Sequence, residues 1–165
     1  MTVDSRYGSL TVEDGVATMT FRRRMPYPVE AVWAALTDPE QRAAWLGEST
    51  VDGRTGGRIA TVPSEPPVPP EKKRMTGRIL VWDPPRVLEH DWRQDIVEDG
   101  VVRYELEPDG ADTILTLTHR GLSARNAGGY IPGTHAFLDR LEAVLAGTEV
   151  PGWAQRYEEV APAYA

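Results

Sequence analysis

The sequence predicts an α+β fold: a curved antiparallel sheet closed over by a helix near the C-terminus. Three observations predict it. Between residues 57 and 119, short segments alternate apolar and polar side chains and are broken by Pro- and Gly-containing turns. An apolar stripe at helical spacing follows, made by Phe137, Leu138, Leu141, Val144 and Leu145. The chain has 165 residues and no cysteine. A chain of this length buries roughly 70% of its unfolded surface, so residues 1–165 are expected to fold as one domain without disulfides.

Gly15 to Met25 reads as the first strand. Met19, Phe21 and Met25 share one face, and Thr18, Thr20, Arg22 and Arg24 the other. Arg23 falls on the apolar face, where an unpaired charge is costly. Pro26 and Pro28 end the strand. Val29, Val32, Trp33 and Leu36 then recur at helical spacing. Asp38 is placed to cap a second short helix, Glu40 to Leu46.

A five-strand meander follows: Gly57 to Val62, Arg74 to Trp82, Val87 to Arg93, Val101 to Glu107 and Thr113 to His119. Asp83-Pro84-Pro85 and Asp109-Gly110 supply turns. Between the first two, the segment from Pro63 to Glu71 holds five prolines in nine residues. It cannot supply a ladder of donors, and reads as a stiff, extended surface loop. The C-terminal helix is predicted from His135 to Ala146, capped by Thr134 and stopped at Gly147. Gly128-Gly129 argues against a start as early as Ser123, which leaves Ser123 to Gly133 as a flexible edge. Trp153 to Val160 reads as a last short helix before Pro162.

The formal charge is −7, from 25 acidic and 18 basic residues. That argues against nucleic acid as a partner, since phosphate binding needs a basic face. Arg22-Arg23-Arg24 does not make one, because strand residues point to alternate faces. No segment approaches the ~20 apolar residues of a membrane span, and Met1 to Leu10 lacks a secretory pattern. With no cysteine there is no thiolate nucleophile, and a reducing cytoplasm is the expected location. Three histidines without a spacing motif give no metal signature, and no phosphate loop or nucleophile elbow is present, so no cofactor is expected.

Several strings, in this order, resemble the SRPBCC superfamily, which includes the START and polyketide-cyclase proteins. They begin with Pro28-Val29-Glu30-Ala31-Val32-Trp33, Leu36-Thr37-Asp38-Pro39 and Trp45. Gly56-Gly57-Arg58, Gly77-Arg78-Ile79 and Asp83-Pro84-Pro85-Arg86-Val87-Leu88 follow. The last are Leu115-Thr116-Leu117-Thr118-His119 and Phe137-Leu138-Asp139-Arg140-Leu141. Within the superfamily the chain is most similar to homologues of the activator of the heat-shock-protein-ninety ATPase, over roughly residues 10 to 147. The resemblance implies a helix-grip fold, with the sheet wrapped around the C-terminal helix and a cavity between them. It also implies a lipid, a polyketide or another apolar molecule as ligand, with aromatic cyclisation catalysed in some relatives. Two departures stand out. The proline segment is longer than the usual hairpin, and Gly133-Thr134-His135 stands where the family often has Gly-Trp-His, which would open the pocket mouth.

Strand alternation supplies the candidate site. Val102 and Tyr104 share one inward face with Leu106, Leu115 and Leu117 share another with His119, and Leu88, His90 and Trp92 share a third. His90, His119 and Tyr104 are the candidates for acid–base chemistry. Trp92, Leu88, Leu115, Leu117, Val102, Arg23, Tyr130, Phe137 and Leu141 are the candidate ligand contacts, with Arg23 suited to a ligand carboxylate. His135 is expected in the first helical turn, where the positive helix end disfavours its charged form. The leading expectation is binding of a small apolar or aromatic molecule, with or without cyclase- or dehydratase-type chemistry. The alternative is a protein-interaction module that regulates a chaperone, with a chaperone or a second copy of the chain as partner.

Overall fold

The computed structural model describes residues 6–165. Two strands, β1 (Ser9–Glu13) and β2 (Val16–Met25), lead into two helices, α1 (Val29–Thr37) and α2 (Pro39–Trp45). Strands β3 (Gly47–Val51) and β4 (Arg58–Pro63) come next, then a single helical turn, α3 (Pro70–Lys73). The chain continues through β5 (Met75–Asp83), β6 (Val87–Trp92), β7 (Gly100–Asp109) and β8 (Asp112–Ser123). It ends in a long helix, α4 (Ala124–Ala146), a short one, α5 (Trp153–Val160), and a 3₁₀ turn, Ala161–Tyr164.

The eight strands make one antiparallel sheet in the order β1-β2-β8-β7-β6-β5-β4-β3. This is the α+β helix-grip arrangement, with α4 packed against β2, β8, α1 and α2. Alternation sets which side chains face it. In β2, Ala17, Met19, Phe21, Arg23 and Met25 are buried while their neighbours reach solvent. Register then lines up rows across the sheet. His90, Val102, His119 and Met19 form one row, and Leu88, Tyr104, Leu117 and Phe21 the next.

Three expectations change. Strands β1 and β3 were not anticipated. Most of β1 is exposed and lacks a buried face to imprint alternation, although Asp14-Gly15, with φ of 53° and 76°, is the tight hairpin turn that could have revealed it. The proline segment is a surface loop, but a tethered one. Ser64 N–H donates to the Leu46 carbonyl at 3.0 Å, the Lys73 ammonium to that of Pro66 at 2.9 Å, and its last residues form α3.

The third correction concerns α4, which begins at Ala124 rather than His135. Ser123 caps it, accepting from Asn126 N–H at 3.1 Å. The helix runs on through Gly128, Gly129 and Pro132 because tertiary contacts outweigh their poor propensity. Ala127, Ile131, Pro132 and Gly133 are buried, and α5 satisfies carbonyls in this stretch. Tyr157 O–H donates to the Gly129 carbonyl at 2.8 Å, and Trp153 Nε1–H to that of Gly133 at 3.0 Å. Gly133 is required there, since a Cβ would come within 3.0 Å of the Trp153 ring. Gly147 ends the helix as expected, in the left-handed region at φ 70°.

Candidate functional site

A cavity of about 280 Å³ lies between the sheet and α4. Its sheet wall is Trp92, Val102, Tyr104, Leu117 and His119, from β6, β7 and β8. Tyr130, Gly133, Phe137 and Leu138 of α4 face that wall. Trp45 and Leu46 close one end, while Trp153 and Tyr157 of α5 and Pro63, Glu65 and Pro66 form the rim.

Seven of the sequence-derived candidates therefore line one space: Trp92, Val102, Tyr104, Leu117, His119, Tyr130 and Phe137. Five do not. Leu88, Leu115 and Leu141 are buried in the core outside it, and His90 lies against the rings of Trp92 and Tyr104, at 6.0 and 6.4 Å. Arg23 is elsewhere altogether. It is fully buried, and its guanidinium meets Asp139 at 2.8 Å, Glu142 at 2.7 Å and the Arg6 carbonyl at 2.7 Å. It is committed to the protein's own carboxylates.

The ring of His119 sits between Trp92 and Tyr130, each centroid 5.5 Å away. Gly100 makes this possible, since a Cβ there would meet His119 Nε2 at 3.3 Å and the Arg120 carbonyl at 2.4 Å. Nε2 is buried and has no hydrogen-bond partner. Burial alone pushes the imidazole down to about 4, so the ring is neutral at pH 7. His90 is pushed down to about 3, chiefly by burial, with the charge of Arg42 adding to it against the hydrogen bond between Nδ1 and the Asp91 carbonyl at 2.7 Å. Its Nε2 is also without a partner. Burial likewise pushes the Tyr104 hydroxyl up, while the Arg42 charge pulls it down.

Neutral, desolvated imidazoles of this kind are hydrogen-bonding groups rather than proton shuttles at neutral pH. Tyr130 differs. Its hydroxyl donates to Gln94 Oε1 at 2.8 Å, the same oxygen that accepts from Trp92 Nε1–H at 3.0 Å. Gln94 Nε2 donates in turn to the Lys73 carbonyl. One carboxamide thus ties α4 to the wall of the sheet and to the base of the proline rim. Sequence reasoning missed Gln94, because it follows β6 in an irregular stretch. It also missed Trp45 and the rim pair Trp153 and Tyr157, whose i, i+4 spacing on α5 was the available signal.

Residues 26–146 match the family described as activator of Hsp90 ATPase homolog 1-like protein. The chain belongs to this family. The match places this AHSA1-type chain in the SRPBCC superfamily. Solved structures agree. CalU16 from Micromonospora echinospora is 26% identical, with a TM-score of 0.73 over 95% of this chain and 92% of its own. A protein from Bordetella parapertussis is 26% identical, with a TM-score of 0.72 over 99% and 94%. A conserved protein from Enterococcus faecalis, 15% identical with a TM-score of 0.71 over 94% and 89%, shares the fold. No curated protein matches the sequence. Among the described residues, no helix of this family member is long and apolar enough to cross a membrane, and no cluster of His, Cys, Asp or Glu has the makings of a metal site.

Proposed function

We propose that the chain binds a small apolar or aromatic molecule in the cavity between the sheet and α4. One observation carries this reading: the cavity is walled by Trp45, Trp92, Tyr130, Phe137 and Trp153, and beside them His119 has no partner for its buried nitrogen. Aromatic walls supply apolar area, and a few unpaired polar groups supply orientation. A ligand carbonyl or hydroxyl fits the neutral imidazole of His119 as a hydrogen-bonding partner. In a cyclisation or dehydration, Tyr104 and His119 would polarise a carbonyl by donating to it, rather than carry protons through an imidazolium. The family description favours a second reading, regulation of a chaperone through a protein surface. The exposed large apolar residues Val12, Val16 and Leu80 belong to separate strands, whereas the aromatic side chains and the unpaired nitrogen of His119 meet in the cavity. That favours the small molecule.

The test is a titration of methyl naphthyl ketone into the purified chain, followed by tryptophan fluorescence. Saturable quenching that disappears in a Thr134→Phe variant, which fills the mouth, is the expected result. Unchanged fluorescence across a set of fused-ring ketones would remove the proposal, and co-purification with a chaperone would then favour the second reading.

A further inference from the structure

Behind the cavity wall lies a buried cation that meets no carboxylate. Elsewhere, Arg23, Arg24, Arg103 and Arg156 each pair with an acidic group. Arg42 does not. It is fully buried on α2, one turn before Trp45 and Leu46, which close the cavity. Its Nε, Nη1 and Nη2 donate to Ser49 Oγ at 3.0 Å, the Leu36 carbonyl at 2.7 Å and Thr61 Oγ1 at 2.8 Å. These acceptors satisfy the nitrogens but are neutral, so the charge stays uncompensated in a low-dielectric site. Lys73 and Arg140 also donate to carbonyls, of residues at or near the rim. Lys73 donates to the Pro66 carbonyl, and Arg140 to those of Trp45 and Pro151. Glu65 is the carboxylate among the lining residues, and it sits on the rim where Arg140 feels its charge.

The Arg42 charge reaches Tyr104, which lines the cavity between Leu88 and Leu117 in its row. The Tyr104 hydroxyl has no hydrogen bond to any described residue, so a donor lines the cavity within the field of a buried, uncompensated cation. A phenolic O–H donates strongly to an anionic oxygen, and the nearby guanidinium stabilises that charge without touching it. We infer that the cavity selects a ligand bearing an anionic oxygen on an aromatic body, a carboxylate or an acidic phenol, held at its Arg42–Tyr104 end. The inference rests on the binding role proposed above and names the class of molecule bound. It also accounts for a cation buried in a chain whose net charge is −7.

The test compares two probes of the same shape, naphthoate and neutral methyl naphthyl ketone, by calorimetry on the full chain at pH 7. Naphthoate is expected to bind at least about tenfold tighter, with little loss between low and high salt because the charge is buried. Tyr104→Phe and Arg42→Met are each expected to remove most of that preference while ketone binding persists. If Arg42→Met does not fold, Tyr104→Phe carries the comparison. Equal affinities in the unaltered chain overturn the inference and leave the cavity's binding role standing. Binding of neither probe overturns both.

Discussion

Two buried histidines under the same helix are treated in opposite ways. His135, on α4, has both ring nitrogens partnered, Nδ1 with the Tyr164 hydroxyl at 2.8 Å and Nε2 with Asp139 at 3.3 Å. Around it Asp139 also meets Arg23 and Arg156, Glu142 meets Arg23 and Arg6, and Tyr164 accepts from Gly8 N–H at 2.8 Å. Burial pushes the Asp139 carboxyl up, but the hydrogen bond from His135 and the charges of Arg23 and Arg156 outweigh it and hold it well below the usual range. That cluster joins the N-terminal residues, β2, α4 and the C-terminal turn. His119, on the sheet, is as deeply buried and has no hydrogen-bond partner at Nε2. A buried polar group left unpaired costs stability, and at the cavity wall the proposed ligand would supply the missing partner. The cluster around His135 is a clasp in which both imidazole nitrogens are partnered, although Arg23 Nε is not, and the cavity around His119 is the site of the proposed binding.

Equivalent truncations should therefore separate the two regions. Arg23→Met leaves Asp139 to Arg156 and His135 and Glu142 to Arg6 but removes the buried cation that joins them, and a loss of about 2–3 kcal/mol in urea unfolding is expected. Tyr104→Phe removes a hydroxyl with no partner and should change stability by less than about 0.5 kcal/mol. Similar values for both would erase the distinction.

Acid titration sharpens it. The folded His90 and His119 are held neutral, at about 3 and about 4, whereas unfolded histidine takes a proton near 6.5. Below about pH 6.5 the unfolded state binds more protons, so stability falls as pH drops toward 4, by up to about 1.4 kcal/mol per pH unit for each histidine. His119→Gln should make that decline shallower by one proton. The clasp responds later: Asp139 is depressed, so its contribution is complete above its unfolded value near 4 and is lost below it. A decline confined to pH below 4 in the unaltered chain would contradict the neutral assignment of the sheet histidines.

Smaller effects follow along α4. Tyr130→Phe breaks the bond to Gln94 and should cost about 1 kcal/mol, read by thermal unfolding. Gly128 has nothing within 4 Å of an added Cβ, so Gly128→Ala should stabilise by up to about 1 kcal/mol. Gly133→Ala should destabilise, because Trp153 occupies that space.

The cavity half could be read from the sequence because period-two alternation is strong where a strand has one buried face. It placed Tyr104, Leu117, His119 and Trp92 correctly inward on β6, β7 and β8. The clasp half could not. That Arg23 needed a partner followed from its face, but Asp139 and Glu142 lie 116 and 119 residues away, and no local pattern announces a long-range pair. The α4 boundary failed for the same reason. Gly128, Gly129 and Pro132 are poor helix formers, and the contacts from Trp153 and Tyr157 that hold them come from an element further along the chain.

The most direct measurement is nitrogen NMR of the histidine side chains at pH 7, with and without saturating methyl naphthyl ketone. The account predicts neutral His119 and His90, a shift of a His119 nitrogen as it gains a hydrogen bond to the ligand, and an unmoved His135. A charged His119 in the free protein, or a ligand response at His135 with none at His119, would contradict it.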